Sequence, residues 1–167
     1  MADKNNLQKD DVENEAEKKE IKINPIKNGV VIDHISSGKA LSVAKILNIE
    51  KYSNLVTIGL NLSSSKMGLK DCIKIEGRSL SNYELNKIAI IAPDATVSMI
   101  HEKKVEDKFK VKLPKEVKNA IKCNNPNCIT KVQNVETRFN VEEDKSMCYF
   151  RCFYCERIYS VDEIELL

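Results

Sequence analysis

The sequence has no tryptophan, and aromatic residues make up only 5% of its 167 residues. Its longest apolar run, residues 88–92, is far shorter than the roughly 20 apolar residues of a membrane-spanning helix. The amino-terminal segment is acidic and lacks the apolar stretch of a signal peptide. We therefore expect a cytoplasmic protein that does not bind membranes, with small cores built mainly from aliphatic side chains.

Common catalytic motifs are also missing. The sequence contains no glycine-rich phosphate-binding loop, no G-x-G-x-x-G, no G-x-S-x-G and no H-E-x-x-H. His34 and His101 are its only histidines, and no nucleophile can be matched with a base. We therefore expect a chain without an active site of its own.

Neither sign of charge dominates. The chain has 27 basic and 25 acidic residues, a net charge of +2, whereas nucleic-acid-binding proteins usually carry a concentrated basic excess. Nucleic acid is therefore not an expected partner. Residues 1–20 hold seven acidic residues and four lysines but few apolar ones, so they cannot bury enough apolar surface to offset the entropy of ordering. We expect a disordered acidic arm there.

Residues 21–115 carry the alternating patterns of strands and helices. Strands are predicted at residues 30–35, 55–62, 70–77, 96–100 and 104–113. Two helices are predicted from apolar residues at helical spacing, namely Ala40, Val43, Ala44 and Leu47, and then Leu85, Ile88, Ala89 and Ala92. The order β-α-β-β-α-β, with one further strand, is typical of a ferredoxin-like α+β domain.

Local signals predict where some of these elements begin and end. Ser81 and Glu84 form an S-x-x-E capping box, and Pro93 ends the second helix. Ser36 and the two residues after it are expected to cap the first helix. In the second strand, strict alternation predicts one shared face for Val56, Ile58, Leu60 and Leu62.

Four of the six cysteines form two close pairs. Cys123 and Cys128 are separated by four residues, and Cys152 and Cys155 by two. In a reducing compartment such pairs indicate a metal rather than disulfides. Four thiolates are typical ligands of tetrahedral Zn²⁺ in a structural site, because they leave no position for water. We therefore predict that residues 116–167 form a small all-β domain around one structural Zn²⁺.

An iron–sulfur site of the rubredoxin type uses four cysteines as well, so spacing alone leaves that alternative open. The remaining cysteines are interpreted as non-ligands: Cys148 as core filler and Cys72 as an ordinary thiol. A divalent ion with four thiolates carries a net charge of −2. The basic residues that flank the ligands are expected to offset it, namely Lys122, Lys131, Arg151 and Arg157.

Lys70 and Lys74 lie four residues apart on one predicted strand, so both point to the same face. Two lysines on one sheet face can bind a polyanion such as a triphosphate, although the same pattern describes an ordinary solvated face. Asp33 and His34, at the end of the first strand, are weaker candidates for the same site.

Several segments together resemble one family. Residues 31–35, 57–62, 67–71, 73–76 and 92–97 resemble the allosteric domain of aspartate carbamoyltransferase regulatory chains, and the two cysteine pairs resemble that family's zinc domain. The resemblance covers about residues 21–167. It implies a nucleotide-binding allosteric domain at 21–115 and a four-cysteine zinc domain at 116–167.

The resemblance implies a non-catalytic regulatory subunit in pyrimidine biosynthesis. Such chains form homodimers through their amino-terminal domains and dock onto catalytic chains through their zinc domains. The nucleotides CTP, ATP and UTP are the expected effectors, which act through their different affinities for two states of the assembly.

The resemblance also implies which residues bind the nucleotide. Asp33 and His34 would lie beside it, Lys70 and Lys74 would contact base, sugar and phosphate, and Lys108 would approach the phosphates. The complete set is Ile26, Asp33, His34, Lys70, Lys74, Ser98, Ile100 and Lys108.

Two departures from the family pattern concern this site. Ser98 stands where the family often has Asn, and Pro25 follows Asn24 in place of a more acidic approach. Because proline lacks a backbone N–H, Pro25 is expected to affect the discrimination between CTP and ATP.

One alternative from another class is a zinc-ribbon module that binds nucleic acid. Such a module needs a basic surface and exposed aromatic side chains for base stacking. The candidates for stacking are Tyr149, Phe150, Phe153 and Tyr154, but most of them are expected to pack in the small core.

Overall fold

The computed structural model describes residues 25–144 and 147–167; the predicted acidic arm, 1–20, lies outside this part of the chain. The first region contains five strands and two α-helices, with a short 3₁₀ turn at Ile49–Lys51. Its strands are β1 (Gly29–Ser36), β2 (Val56–Ser64), β3 (Gly68–Glu76), β4 (Thr96–His101) and β5 (Lys104–Lys110). Its helices are α1 (Ala40–Ile46) and α2 (Asn82–Ile91).

The five strands form one antiparallel sheet in the order β2-β3-β1-β4-β5. The first four have the arrangement of a split β-α-β unit, with β5 added beside β4. The predicted ferredoxin-like α+β class is therefore confirmed. The fifth strand is shorter than the predicted 104–113, because its pairing with β4 ends at Lys110.

The core of this region lies between one sheet face and the two helices. Ile32 and Ile73 face each other across β1 and β3, and both are fully buried. They pack with the predicted helix residues, of which Ala40, Val43, Ala44, Leu47, Ile88, Ala89 and Ala92 are buried. Burying one such aliphatic side chain contributes about 1.5–3 kcal/mol, so this layer accounts for much of the stability.

The first turn of α1 is held by a residue distant in sequence. The cap position is Lys39, whose side chain makes no capping bond, so the prediction that Ser36 and its neighbours cap this helix was wrong. Asp71 of β3, which is completely buried, instead accepts from the backbone N–H groups of Gly38 (2.9 Å) and Ala40 (3.2 Å). A carboxylate brought in by the sheet thus replaces a local cap.

β2 breaks its alternation near the middle. Its pairing with β3 shifts between Gly59 and Leu62, and Asn61 has a φ of 55°. The Asn61 N–H donates to Asp71 Oδ1 at 2.9 Å. Leu60 is 47% exposed. The single face predicted for Val56, Ile58, Leu60 and Leu62 is therefore kept only by the residues before this bulge.

The capping box of α2 is confirmed. The Glu84 N–H donates to Ser81 Oγ (3.3 Å), and the Ser81 N–H donates to Glu84 Oε2 (2.8 Å). The Arg78 guanidinium donates to Glu84 Oε1 at 2.5 Å. The helix ends at Ile91, two residues before Pro93.

The second region consists of short strands. They are β6 (Glu116–Lys118), β7 (Ile121–Lys122), β8 (Arg138–Asp144), β9 (Met147–Cys152), β10 (Ile158–Ser160) and β11 (Glu165–Leu166). Four form a sheet in the order β10-β9-β8-β6, and β11 pairs with β7. Apart from the single helical turn α3 (Ile129–Val132), this region is all-β, as predicted.

The two regions share an interface at α2. Ile90 is buried in the second region's apolar cluster, while Ile88 belongs to the first. Tyr83 Oη donates to the Asn119 carbonyl oxygen at 2.7 Å. Within the described residues, no helix is both long and apolar enough to cross a membrane.

Candidate metal centre and polar sheet face

The four predicted ligand cysteines converge from four places in the second region. Cys123 follows β7, Cys128 is the cap of α3, Cys152 ends β9 and Cys155 lies in the turn before β10. Their Sγ atoms all lie within 4.8 Å of one another. The sheet and the two turns therefore form one compact set of four sulfur donors.

The sulfur separations agree with a tetrahedral ion. Cys123 Sγ and Cys155 Sγ are 3.7 Å apart, and Cys128 Sγ and Cys152 Sγ are 3.8 Å apart. A disulfide requires about 2.05 Å, whereas an ion with metal–sulfur distances near ~2.3 Å sets its tetrahedral sulfur ligands about 3.8 Å apart. The residues present therefore suit a metal held by four thiolates. All four positions are filled by protein, so the site has a structural role rather than a catalytic one.

The thiols differ in acidity. Burial raises the pKa of the Cys152 thiol to about 12. Burial acts in the same direction on Cys155, but hydrogen bonds from the Asn125 side chain and the Arg157 N–H outweigh it and lower the pKa of Cys155 to about 7. Since metal ligation requires thiolates, the ion must displace protons that burial alone would retain.

Two of the flanking basic residues that were expected to offset the charge of the metal site form ion pairs with carboxylates instead. Lys122 Nζ lies 2.9 Å from Glu165 Oε1, and Arg151 Nε lies 2.5 Å from Glu142 Oε1. The sulfurs receive neutral donors instead, from three side chains that the sequence analysis did not single out: Asn125, Thr130 and Tyr159. Only Asn125 had a sequence signal, because it lies inside the first cysteine loop.

The other face of the first sheet, which we call the open face, carries a polar row. Val31 of β1 is paired with Lys74 of β3 and with Ser98 of β4, and Ser98 is paired with Lys108 of β5. Directly paired residues of neighbouring strands point to the same side. Ile32, next to Val31, is buried in the helix-covered core, so this row points away from the helices.

Asp33, His34 and Lys70 lie at the end of the open face, where β1 bulges. His34 has a φ of 58°, and the pairing of β1 with β3 shifts between Ile32 and Ile35. Lys70 Nζ lies 2.8 Å from Asp33 Oδ2, and His34 Nδ1 lies 3.3 Å from the same oxygen. The bulge thus brings two predicted nucleotide residues, His34 and Lys70, to the carboxylate of a third, Asp33.

The Asp33 carboxyl group is half-buried and only partly satisfied. Burial would raise its pKa, but the hydrogen bond from Lys70 and the His34 backbone outweigh burial and lower the pKa of Asp33 below its usual value. Its other oxygen, Oδ1, is buried and has no hydrogen-bond partner among the described residues. The site therefore holds an ionised carboxylate with one buried oxygen that no donor among the described residues satisfies.

The remaining predicted residues lie on the opposite side of the row, towards the start of β1. Ile100 is paired with Gly29 of β1, and Ile26, three residues before Gly29, is buried. The Lys103 N–H donates to the Lys27 carbonyl oxygen at 2.8 Å, so the entering chain is joined to the β4–β5 turn. An apolar end therefore adjoins the polar row.

The two other cysteines lie outside the sulfur cluster, as predicted. Cys72 is buried on β3 between the two lysines, where burial and, next, the Asp33 charge raise its pKa to about 11. Cys148 is half-buried in β9 and does not belong to the second region's apolar cluster, so its interpretation as core filler was wrong. Of the aromatic residues considered for base stacking, Phe150 is fully buried, but Phe153 and Tyr154 are 49% and 37% exposed, so the expectation that most of them pack in the core was wrong.

Two family models match the chain. One describes the allosteric domain of the aspartate carbamoyltransferase regulatory chain and matches residues 21–112. The other describes the metal-binding domain of the same regulatory chain and matches residues 115–165.

Curated relatives carry the same description over nearly their full length. The chain is 54% identical to the aspartate carbamoyltransferase regulatory chain of Methanococcus maripaludis over 140 residues, which are 84% of this chain and 93% of that protein. It is 48% identical to the regulatory chain of Pyrococcus horikoshii over 147 residues, 87% of this chain and 96% of that protein. With both domains matched and the four-sulfur centre assembled, the chain belongs to the family of aspartate carbamoyltransferase regulatory chains, the non-catalytic subunits of that enzyme.

Proposed function

We propose that this regulatory chain acts in the cytoplasm as the nucleotide-responsive subunit of its complex. It binds CTP, ATP or UTP on the open face of the first sheet and holds one structural Zn²⁺ in the second region. The observation that carries the nucleotide part is the row of Lys74, Ser98 and Lys108, which has Asp33 with Lys70 on one side of it along the strands and the apolar Ile26 and Ile100 on the other.

The spacing of the row suits a nucleoside triphosphate. Lys74 and Lys108 are separated by three strand spacings of about 4.8 Å each, or roughly 14 Å. Lysine binds phosphate as a point charge on a flexible stem, so two lysines at this distance can contact the two ends of a nucleotide. Ser98, between them, offers a hydroxyl to the sugar.

Asp33 supports the same proposal from the ligand's side. Its side chain is 26% exposed, and the ionised carboxylate can accept from a donor such as a ribose hydroxyl or the exocyclic amine of cytosine or adenine. Lys70 holds the carboxyl group ionised at neutral pH. The site therefore combines an acceptor for the nucleoside with cations for its phosphates.

Replacement of Lys74 by alanine tests this assignment. Lys74→Ala should weaken CTP or ATP binding by about 10- to 100-fold in calorimetry, because charge-assisted hydrogen bonds contribute about 1.5–3 kcal/mol, and it should leave the metal content at one per chain. The matched control is Lys45→Ala, an exposed lysine at the end of α1 on the other side of the sheet. Equal affinity in the Lys74 variant would remove this residue from the nucleotide site.

Zinc is the proposed metal because four thiolates at tetrahedral spacing are its most common structural ligand set. Elemental analysis of the native complex should find one zinc per chain. Brown protein with stoichiometric iron would instead support the rubredoxin-type site.

Docking onto catalytic chains is proposed for the apolar surface around the sulfur cluster. Val132 is 76% exposed and Phe153 is 49% exposed, and both lie within four residues of a ligand cysteine. Arg138 stacks on the Phe153 ring at 4.4 Å, an arrangement of aromatic and arginine side chains that is common at interfaces. Cys152→Ser should abolish co-purification with catalytic chains; a normal complex would mean that the metal does not organise this surface.

A homodimer through the first region is proposed from the β2 edge of the sheet. Among the described residues, no strand pairs with the outer side of this edge strand, and Leu41, Leu55 and Leu60 nearby are each exposed by 47% or more. Edge strands with apolar side chains pair readily with a second chain. Native mass measurement should find two regulatory chains in the absence of catalytic chains, and a monomer at micromolar concentration would contradict the proposal.

A further inference from the structure

Two hydroxyl groups lie against the sulfur cluster. Tyr159, the central residue of β10, has its Oη 3.5 Å from Cys123 Sγ. Thr130, in α3, has its Oγ1 3.3 Å from Cys128 Sγ. The two hydroxyls thus contact different sulfurs. One sulfur belongs to the Cys123–Cys155 contact and the other to the Cys128–Cys152 contact.

The Tyr159 ring is held in place by the second region's core. Tyr159 is paired with Phe150 across β10 and β9, and its ring packs edge-on against Phe139 with centroids 6.2 Å apart. Both phenylalanines are fully buried. The position of the Tyr159 hydroxyl is therefore determined by packing rather than by the sulfur alone.

The direction of these hydrogen bonds follows from the chemistry of the ligands. A metal-bound cysteine is a thiolate and has no proton to donate. Each hydroxyl must therefore donate to its sulfur. The need for donors is strong, because Cys123 and Cys128 are at most 1% exposed and buried charge is costly without hydrogen bonds.

We propose that Tyr159 and Thr130 are positioning residues of the metal centre, which donate to Cys123 and Cys128, stabilise these buried thiolates against protonation and so slow loss of the ion. The inference rests on the four-cysteine metal site proposed above. Outer-shell partners of metal ligands typically change metal affinity by about 10- to 100-fold. Neutral hydroxyls that donate to sulfur belong at the lower end of that range.

The full-length chain with cobalt bound in place of zinc gives a spectroscopic signal that a simple loss of protein stability does not change. In Tyr159→Phe, the sulfur-to-cobalt charge-transfer band should shift to lower energy, because the Cys123 thiolate loses a stabilising donor. The matched control is Tyr154→Phe, whose hydroxyl donates to the Glu136 carbonyl oxygen at 3.0 Å rather than to sulfur. Its band should stay at the wild-type position.

Metal transfer from the zinc-loaded chain to a chromogenic chelator measures the second effect. Tyr159→Phe should lose zinc about tenfold faster than wild type, while Tyr154→Phe should match wild type. At the other hydroxyl, Thr130→Val should also accelerate loss, and Thr130→Ser, which keeps the hydroxyl, should restore the slow rate.

The outcomes separate this inference from the proposed metal site. A wild-type chain that binds neither zinc nor cobalt would overturn the site itself. A loaded wild type with an unshifted band and an unchanged release rate in both Tyr159→Phe and Thr130→Val would overturn the inference alone. Failure of Thr130→Ser to differ from Thr130→Val would assign the effect of that residue to packing and overturn its role as a donor.

Discussion

Within the described residues, the first and second regions differ in the side chains that fill their interiors. The cluster of the first region has fifteen buried apolar residues, supplied by strands, helices and connecting loops. The cluster of the second has nine, of which three are cysteines of the candidate metal centre and one, Ile90, comes from the first region's helix. The second region therefore has few apolar residues of its own to stabilise it.

This difference indicates two sources of stability in one chain. A domain of typical stability has about 5–15 kcal/mol, and metal binding in small zinc modules contributes about 10–16 kcal/mol. For the second region, a bound ion would therefore supply an amount comparable to an entire domain's stability. The first region has no such dependence, because its interior is closed by the helix layer over the sheet.

Removal of the metal should produce the largest contrast between the two regions. In the presence of a strong chelator, amide protection should be lost across residues 116–167 and retained across the first sheet. Hydrogen exchange of the full chain with and without chelator measures both regions at once. Unchanged protection in the second region would show that its aliphatic and aromatic contacts suffice without the ion.

Substitutions on α2 should affect one region or the other according to the cluster that each residue joins. Ile90→Ala should destabilise the second region, and Ile88→Ala the first, each by about 2–5 kcal/mol, the usual cost of truncating a buried isoleucine. Urea titration followed by region-resolved hydrogen exchange measures the two effects. An equal loss in both regions for either variant would mean that the chain unfolds as one unit.

The buried Asp71 allows an isosteric test within the first region. Asp71→Asn exchanges one oxygen acceptor for an NH₂ group that faces backbone donors, so the free energy of unfolding should fall by about 1–3 kcal/mol. The control is Asp94→Asn, which removes an exposed ion pair with Lys110 and should change stability by less than about 1 kcal/mol. Denaturation at neutral pH compares them, and equal effects would refute a special role for Asp71.

The smallest expected effect concerns the capping carboxylate of α2. Burial opposes ionisation of Glu84, but hydrogen bonds from Ser81 and Arg78 outweigh it and lower the pKa of Glu84 below its usual value. A carboxyl with a lowered folded-state pKa stabilises the fold above its unfolded pKa, about 4.3, and this stabilisation is lost as the pH falls through the folded-state pKa.

Glu84→Gln should therefore cost about 1 kcal/mol near pH 7 and show a weaker loss of first-region stability on acidification below about pH 4.3. Denaturation curves at neutral and acidic pH provide the comparison, and metal content should not change. An identical pH dependence in variant and wild type would remove Glu84 as a source of the acid sensitivity.

Local sequence patterns predicted much of the fold because they depend on short spacings. The helix stripes, the capping box of Ser81 and Glu84 and the two cysteine pairs are all defined within a few residues, and each appears where it was predicted. The cap of α1 and the bulge of β2 were missed for one common reason. Both depend on Asp71, which reaches them from a neighbouring strand and has no local signal.

The candidate sites show the same division. The four cysteines and the lysines of β3 were found from spacing and from the family resemblance. The alignment of Lys74, Ser98 and Lys108 across strands, and the hydroxyls of Tyr159 and Thr130 against sulfur, depend on pairing register and on packing. Sequence spacing does not reveal pairing register or packing, because residues far apart in the chain come together only in the folded sheet.

By itself, the sequence determined the type and order of the elements and the chemistry of the metal ligands, since periodicity and ligand type are properties of short segments. The tertiary structure decided which strand lies beside which, and therefore which polar groups share the open face. It also decided that Asp71 holds a distant helix and that Asp33 keeps one oxygen unpartnered within the described residues. These outcomes depend on long-range packing, which decides whether a donor lies within reach of a buried polar group.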